Sequence, residues 1–180
     1  MNEILEQIRK ANPETIWIDG KDGSGKSYLA RQLSEQLSIP MVSVDDYLIS
    51  QQGSYISSVK FEQLYQAITQ AGKPVIVEGV CLLEVRKILK VESGLNIYVK
   101  RMSPMGYWAD EDECDPKVTP DELIQSKIEI HERAASIGFM GIKNDDKPYE
   151  FPPLARELIE YHYAYKPHQK PDITYFRVDE

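Results

Sequence analysis

The chain holds 180 residues, and 29 Asp and Glu against 21 Lys and Arg leave a formal net charge of −8. That acidity argues against a nucleic-acid-binding surface, and no apolar run reaches the ~18 residues a membrane helix needs. The length suits one domain, residues 1–180, and the two cysteines, Cys81 and Cys114, are too few for a metal cluster and fit a reducing cytoplasm.

In chain order, Ile4, Leu5 and Ile8 lie at helical spacing and predict an amphipathic helix over 2–11, ended before Pro13. Residues 15–19 read as a short buried strand, and 27–37 as a helix with Leu29, Ala30, Leu33 and Leu37 on one face. A second strand is expected over 41–45 and a loop over 46–58, which is rich in serine. Phe61, Leu64, Tyr65 and Ile68 mark a helix that stops at Gly72. Residues 74–80 form the third expected strand, whose Val75-Ile76-Val77 run lacks alternation, as strands buried on both faces do. A helix over 82–89 leads to a fourth strand over 95–99. Residues 101–118 are irregular and acidic. Thr119 as N-cap, Pro120 at the first helical position and Glu122 closing a capping box start a helix to about Ser136. A loop over 137–152, a helix over 153–163 and a fifth strand over 173–178 complete the chain. Strands alternating with helices predict an α/β fold, a parallel sheet with helices on both faces.

Residues 20–27 read GKDGSGKS and match the Walker A pattern G-x-x-x-x-G-K-[ST] at every fixed position. Glycine lets such a loop curl until successive N–H groups point inward at a phosphate. In that pattern Lys26 reaches the β- and γ-phosphates and the Ser27 hydroxyl sits on magnesium. The helix N-terminus adds donors and a positive dipole end. The expected nucleotide contacts are Gly20, Lys21, Asp22, Gly23, Ser24, Gly25, Lys26, Ser27 and Tyr28.

Two carboxylates end expected strands on the same sheet edge as that loop, where open α/β sheets bind ligands. Asp45 can accept the proton of an attacking hydroxyl, bind magnesium through water, or both; capping the next segment is the alternative for Asp45 or Asp46. Glu78 closes the apolar third strand, where a carboxylate needs a charged partner, since burying it alone is costly. In phosphate-loop proteins an acid at this place faces the loop and holds magnesium-bound water. A turn-forming Glu-Gly is the plainer reading.

The succession GKDGSGKS, VDDYL, VIVEGV, IYVKR and YHYAYKPHQKPDI resembles the uridine kinase family of phosphate-loop kinases, a group that includes nicotinamide riboside kinase, pantothenate kinase and phosphoribulokinase. The resemblance spans most of the chain and is strongest at the loop. It implies a five-stranded parallel sheet with the loop strand at its centre, Asp45 as base on the acceptor hydroxyl and Glu78 near magnesium. Uridine kinases carry a hairpin that closes over the nucleoside before the V-x-x-E-G strand. Here residues 71–73 run straight into Pro74, which argues against uridine as acceptor. The family's lid carries several arginines that neutralise the transferring phosphoryl. The corresponding insert, about 101–118, offers Arg101 as the lid candidate beside Lys100, with Arg133 on the next helix as a second.

A GTPase is disfavoured, because no D-x-x-G follows the third strand and Lys143-Asn144-Asp145-Asp146 is not N-K-x-D. The expectation is a cytoplasmic kinase that uses ATP and magnesium to phosphorylate a hydroxyl of a small molecule. A nucleotide-binding module with weak or lost transfer stays open, given the short lid. The acceptor pocket is expected from 46–60 and 102–118, and the acids from Asp110 to Asp115 would disfavour an anionic acceptor, a merely solvated loop being the plainer reading of that run. Tyr47, Tyr55, Phe61 and Trp108 are candidate walls, while His131 and His162 are expected to pack against neighbours.

Overall fold

A computed structural model describes residues 1–49, 53–137 and 149–178. Strand β1 (Thr15–Gly20) is buried at all six positions, as a strand covered on both faces must be. It pairs in parallel with β3 (Val75–Glu78) and β4 (Leu95–Met102), with Ile18 opposite both Glu78 and Ile97. Strands β2 (Met41–Ser43) and β5 (Ile173–Val178) add outside these, so the parallel order is β2-β3-β1-β4-β5. The loop strand is therefore central, and strand order and loop together make this the α/β fold of P-loop NTPases.

Period-two alternation along β1 splits its side chains between two cores. Ile16 and Ile18 meet α1 (Asn2–Ala11) and α2 (Lys26–Leu37) through Ile4, Leu5, Ile8, Leu29 and Leu33. Trp17 faces the other layer, where α4 (Phe61–Ala71), α5 (Leu82–Leu89) and α8 (Pro153–Tyr165) bring Leu64, Val85, Leu158 and Tyr161. Each apolar side chain buried there contributes about 1.5–3 kcal/mol before entropy is charged against it.

Several boundaries differ from expectation for identifiable reasons. The second strand ends at Ser43, not at 45: its partner β3 stops at Glu78, so no ladder remains for Val44. Residues Val44–Tyr47 instead turn as one 3₁₀ helix that carries Asp45 and Asp46. The expected loop over 46–58 contains a short helix, α3 (Tyr55–Ser58), whose start is held from afar: Glu157 accepts from the Tyr55 and Ile56 amides at 2.5 and 2.9 Å. Strand β4 runs on to Met102 because β5 continues beside it as far as Val178. Within the acidic stretch a single turn, α6 (Glu111–Cys114), forms, and α7 (Pro120–Ser136) begins with the expected Thr119–Glu122 capping box. Most of the expected 137–152 loop, and residues 50–52, lie outside the described residues. Among the described residues no helix is long and apolar enough to cross a membrane.

Candidate active site

The phosphate loop bridges the end of β1 and the start of α2 at the carboxyl edge of the sheet. Gly25 is the N-cap residue at φ 94°, and a Cβ there would sit 2.6 Å from the Arg177 side chain, so only glycine fits. Arg177, on β5, reaches back to donate to the Gly23 carbonyl at 3.2 Å. Ser24 donates its amide to the Lys21 carbonyl at 3.1 Å, while its buried hydroxyl has no partner among the described residues. A buried hydroxyl left without a partner in this loop suits a bound anion better than an empty site.

Lys26 is buried and donates to the Lys21 carbonyl at 2.8 Å. Burial pulls its pKa below the ordinary lysine value, and the surrounding Asp19, Glu78, Asp22 and Asp45 pull the other way. Ser27 donates to Glu78 Oε2 at 3.0 Å, and Ser43 donates to Glu78 Oε1 at 2.5 Å. Glu78 is thus buried but doubly bonded, its carboxylate aimed at the hydroxyl that follows Lys26. Asp45 lies exposed on the 3₁₀ turn two residues past Ser43, where the Tyr55 hydroxyl donates to its Oδ1 at 2.7 Å. Burial, then the Asp45 charge, holds the Tyr55 pKa far above its usual value, so Tyr55 stays a donor. Gly79 permits this approach: a Cβ on it would lie 2.9 Å from Val44 and 3.1 Å from the Tyr55 hydroxyl.

Ser27, Glu78 and Asp45, far apart in sequence, therefore sit on one edge of the sheet around Lys26. Hydroxyl and carboxylate oxygens are the hard donors magnesium takes, and it commonly keeps water and phosphate in its remaining positions. That the described residues hold no cluster of three or more His, Cys, Asp or Glu is compatible with such a sparse set. Of the other expected contacts, Asp22 and Tyr28 are exposed, and Tyr28 stands 60% accessible on α2.

Arg101 lies near the end of β4 but is turned to Asp110, which accepts from its guanidinium at 2.8 and 3.3 Å. Lys21 of the phosphate loop binds the same carboxylate at 3.1 Å and Glu113 at 2.5 Å. Burial disfavours the charged Lys21, yet Glu113 and Asp110 outweigh it and raise its pKa. Glu113 and Asp112 continue to Lys127, and Asp115 to Lys117. The acidic stretch is thus largely neutralised by cations from other elements rather than left as a bare negative wall. Arg133, the second lid candidate, is exposed in the last turn of α7.

Trp108 packs edge-on against Tyr98 and beneath Lys100, whose ammonium stands 3.9 Å from its ring centre, while Tyr107 is exposed. Tyr47, Tyr55 and Phe61 join the core around Trp17. His131 stacks on Tyr149 at 3.7 Å between ring centres. His162 is buried: Nδ1 donates to the Leu158 carbonyl at 2.7 Å, leaving Nε2 to accept from Tyr98 at 2.8 Å, and burial lowers its pKa to about 4.

Asp19 escaped the sequence reading. Inside the apolar β1 it is buried, and desolvation raises its pKa to about 6 even though Tyr161 and the Gly20 amide donate to it. Tyr161 in turn accepts from the Leu83 amide at 3.1 Å, tying α8 to β1 and to the start of α5. An acid within an otherwise apolar strand, one residue before the loop, was the available signal.

No family model and no curated protein matches this chain. Among solved structures it is similar to a possible uridine kinase from Bacillus stearothermophilus at 13% identity and a TM-score of 0.48, covering 96% of this chain and 99% of that one. A shikimate kinase from Aquifex aeolicus aligns at 17% identity and 0.42, over 89% and 84% of the two chains. A gluconokinase from Sinorhizobium meliloti aligns at 15% and 0.41, over 92% and 82%. At these identities and TM-scores the likenesses decide neither reaction nor substrate.

Proposed function

We propose that this chain is an ATP- and magnesium-dependent kinase, uridine kinase-like in its motifs, that transfers the γ-phosphoryl group to a hydroxyl of a small molecule. The observation that carries this reading is the Ser27–Glu78–Ser43 chain of hydrogen bonds at 3.0 and 2.5 Å, with Asp45 two residues beyond Ser43. A loop that only bound phosphate would need neither carboxylate so placed. Amides of the loop and of the first turn of α2, other than those of Gly20 and Ser24, hold the phosphates, and Lys26 offsets their charge. Magnesium held by Ser27 and Glu78, with Asp45 through water, would withdraw charge from the phosphate oxygens. Asp45, oriented by Tyr55, accepts the proton of the attacking hydroxyl. Arg101 reaches a transferring phosphoryl once Asp110 releases it. Residues 1–180 act in this reading as one domain with 101–118 as its lid, in the cytoplasm and without nucleic acid.

The hold of Asp110 on both Arg101 and Lys21 favours a second reading, a nucleotide-binding module with weak transfer. The Asp45→Asn variant separates the two. It keeps shape and removes the proton acceptor, so phosphoryl transfer from γ-labelled ATP should fall roughly 10²–10⁴-fold with nucleotide affinity unchanged. No transfer to any acceptor by the unaltered protein, over nucleosides, vitamin precursors and sugars, would leave the module reading standing.

A further inference from the structure

A groove of about 570 Å³ opens between α3, the start of α5 and α8, within the usual range for small-molecule sites. Two buried tyrosines at its wall bond to carboxylates of the sheet edge. Ser54 and Ile56, which line it, flank Tyr55, whose hydroxyl holds Asp45. Tyr161, which also lines it, donates to Asp19.

The groove is negative and aromatic at once. Glu84, Glu157 and Glu160 line it against one cation, Arg156, which is shared between Asp121 and Glu160 at 3.3 and 3.7 Å. Glu157 is spent on the start of α3, where it accepts from Ser54, Tyr55 and Ile56. Glu84 has no such use. Burial, then repulsion from Glu157, raises its pKa against the weaker pull of Lys87 on the same helix, a penalty that a bound cation would relieve further. Half-buried Tyr165 stands on the same wall, its ring 5.2 Å from that of buried Tyr161, and aromatic faces attract cations.

We propose that this groove takes the acceptor, and that the acceptor is a hydroxylated amine whose ammonium sits between Glu84, Glu160 and the Tyr161–Tyr165 rings. The proposal rests on the kinase reading for its hydroxyl and on the groove alone for its charge. It places the acceptor against α3 and α8 rather than against the 102–118 segment, whose acids are already paired with lysines and arginine.

Three matched probes test it by calorimetry in saturating Mg-ADP, which keeps phosphate probes off the loop: glucamine, its neutral counterpart sorbitol, and anionic sorbitol phosphate. Glucamine should bind about tenfold more tightly than sorbitol, the usual worth of a charge-assisted contact, and sorbitol phosphate most weakly. Glu84→Gln with Glu160→Gln should erase the preference and leave sorbitol binding intact, and Glu84→Asp should restore part of it. Should the Gln variants melt early, raising salt on the unaltered protein must still narrow the glucamine–sorbitol gap. Equal binding of amine and polyol, preference for the phosphate, or no saturable binding of any probe overturns the proposal. ATP turnover with another acceptor but no glucamine binding would sink this inference alone. Glucamine binding without any phosphoryl transfer would keep the site and remove the kinase.

Discussion

Replacing Asp19 by Asn should change how stability depends on pH, by an amount the structure sets. Asp19 is 7% exposed, and burial raises its pKa from 3.8 to about 6, despite hydrogen bonds from Tyr161 and the Gly20 amide. At about 1.4 kcal/mol per pKa unit, this corresponds to roughly 3 kcal/mol. Between pH ~4 and ~6 the folded protein holds a proton on Asp19 that the unfolded chain has lost, so stability falls as pH rises through this window. His162 works in the opposite direction. Its pKa is lowered from 6.5 to about 4, so the unfolded chain binds the extra proton and stability rises over nearly the same range. The unaltered protein should therefore show a shallow profile, and only the difference between it and Asp19→Asn isolates the carboxylate. Urea unfolding from pH ~4 to ~7 should show that difference growing in favour of the variant by about 3 kcal/mol as pH rises. Any unpaired amide that Asn introduces costs the same at every pH and cancels from the slope. A difference that stays flat across the window would refute the claim that burial dominates at Asp19.

The remaining predictions concern the loop and its acidic neighbour. Millimolar Mg-ATP should raise the melting temperature, by the ~2.7 kcal/mol that ligand at ~100 times its Kd supplies, and Lys26→Ala should abolish that shift. An identical shift in the variant would mean that nucleotide binds elsewhere. Asp110→Asn should loosen the hold on Arg101 and on Lys21, which keeps Glu113, tighten ATP binding and steepen its dependence on salt, since one anion fewer then opposes the charge of the nucleotide. Titration of ATP at two salt concentrations reads this directly, and weaker binding by the variant would show that Asp110 instead orders the loop.

The loop itself was legible because its chemistry is local. GKDGSGKS needs only glycine conformations and the N-terminus of the following helix, both encoded within a dozen neighbouring residues. The elements were legible for a similar reason: periodicity along α1, α2 and α4, the capping box of α7 and the apolar runs of β1 and β3 are all local signals. The end of β2 was not, because a strand stops where its partner stops, and β3 turns away at Gly79. Helix α3 was hidden as well, since its first amides are satisfied by Glu157, about a hundred residues away in the chain. Charge was the least legible property of all. The acids at 110–115 look like a repulsive run in the sequence, yet Lys21, Arg101 and Lys127 come from three other elements to neutralise them. Sequence alone thus determined where the loop lies between strand and helix and which faces must be buried, because both follow from neighbours along the chain. Tertiary structure alone decided which charges are free, because the strength of a carboxylate depends on what folding brings within a few ångströms of it.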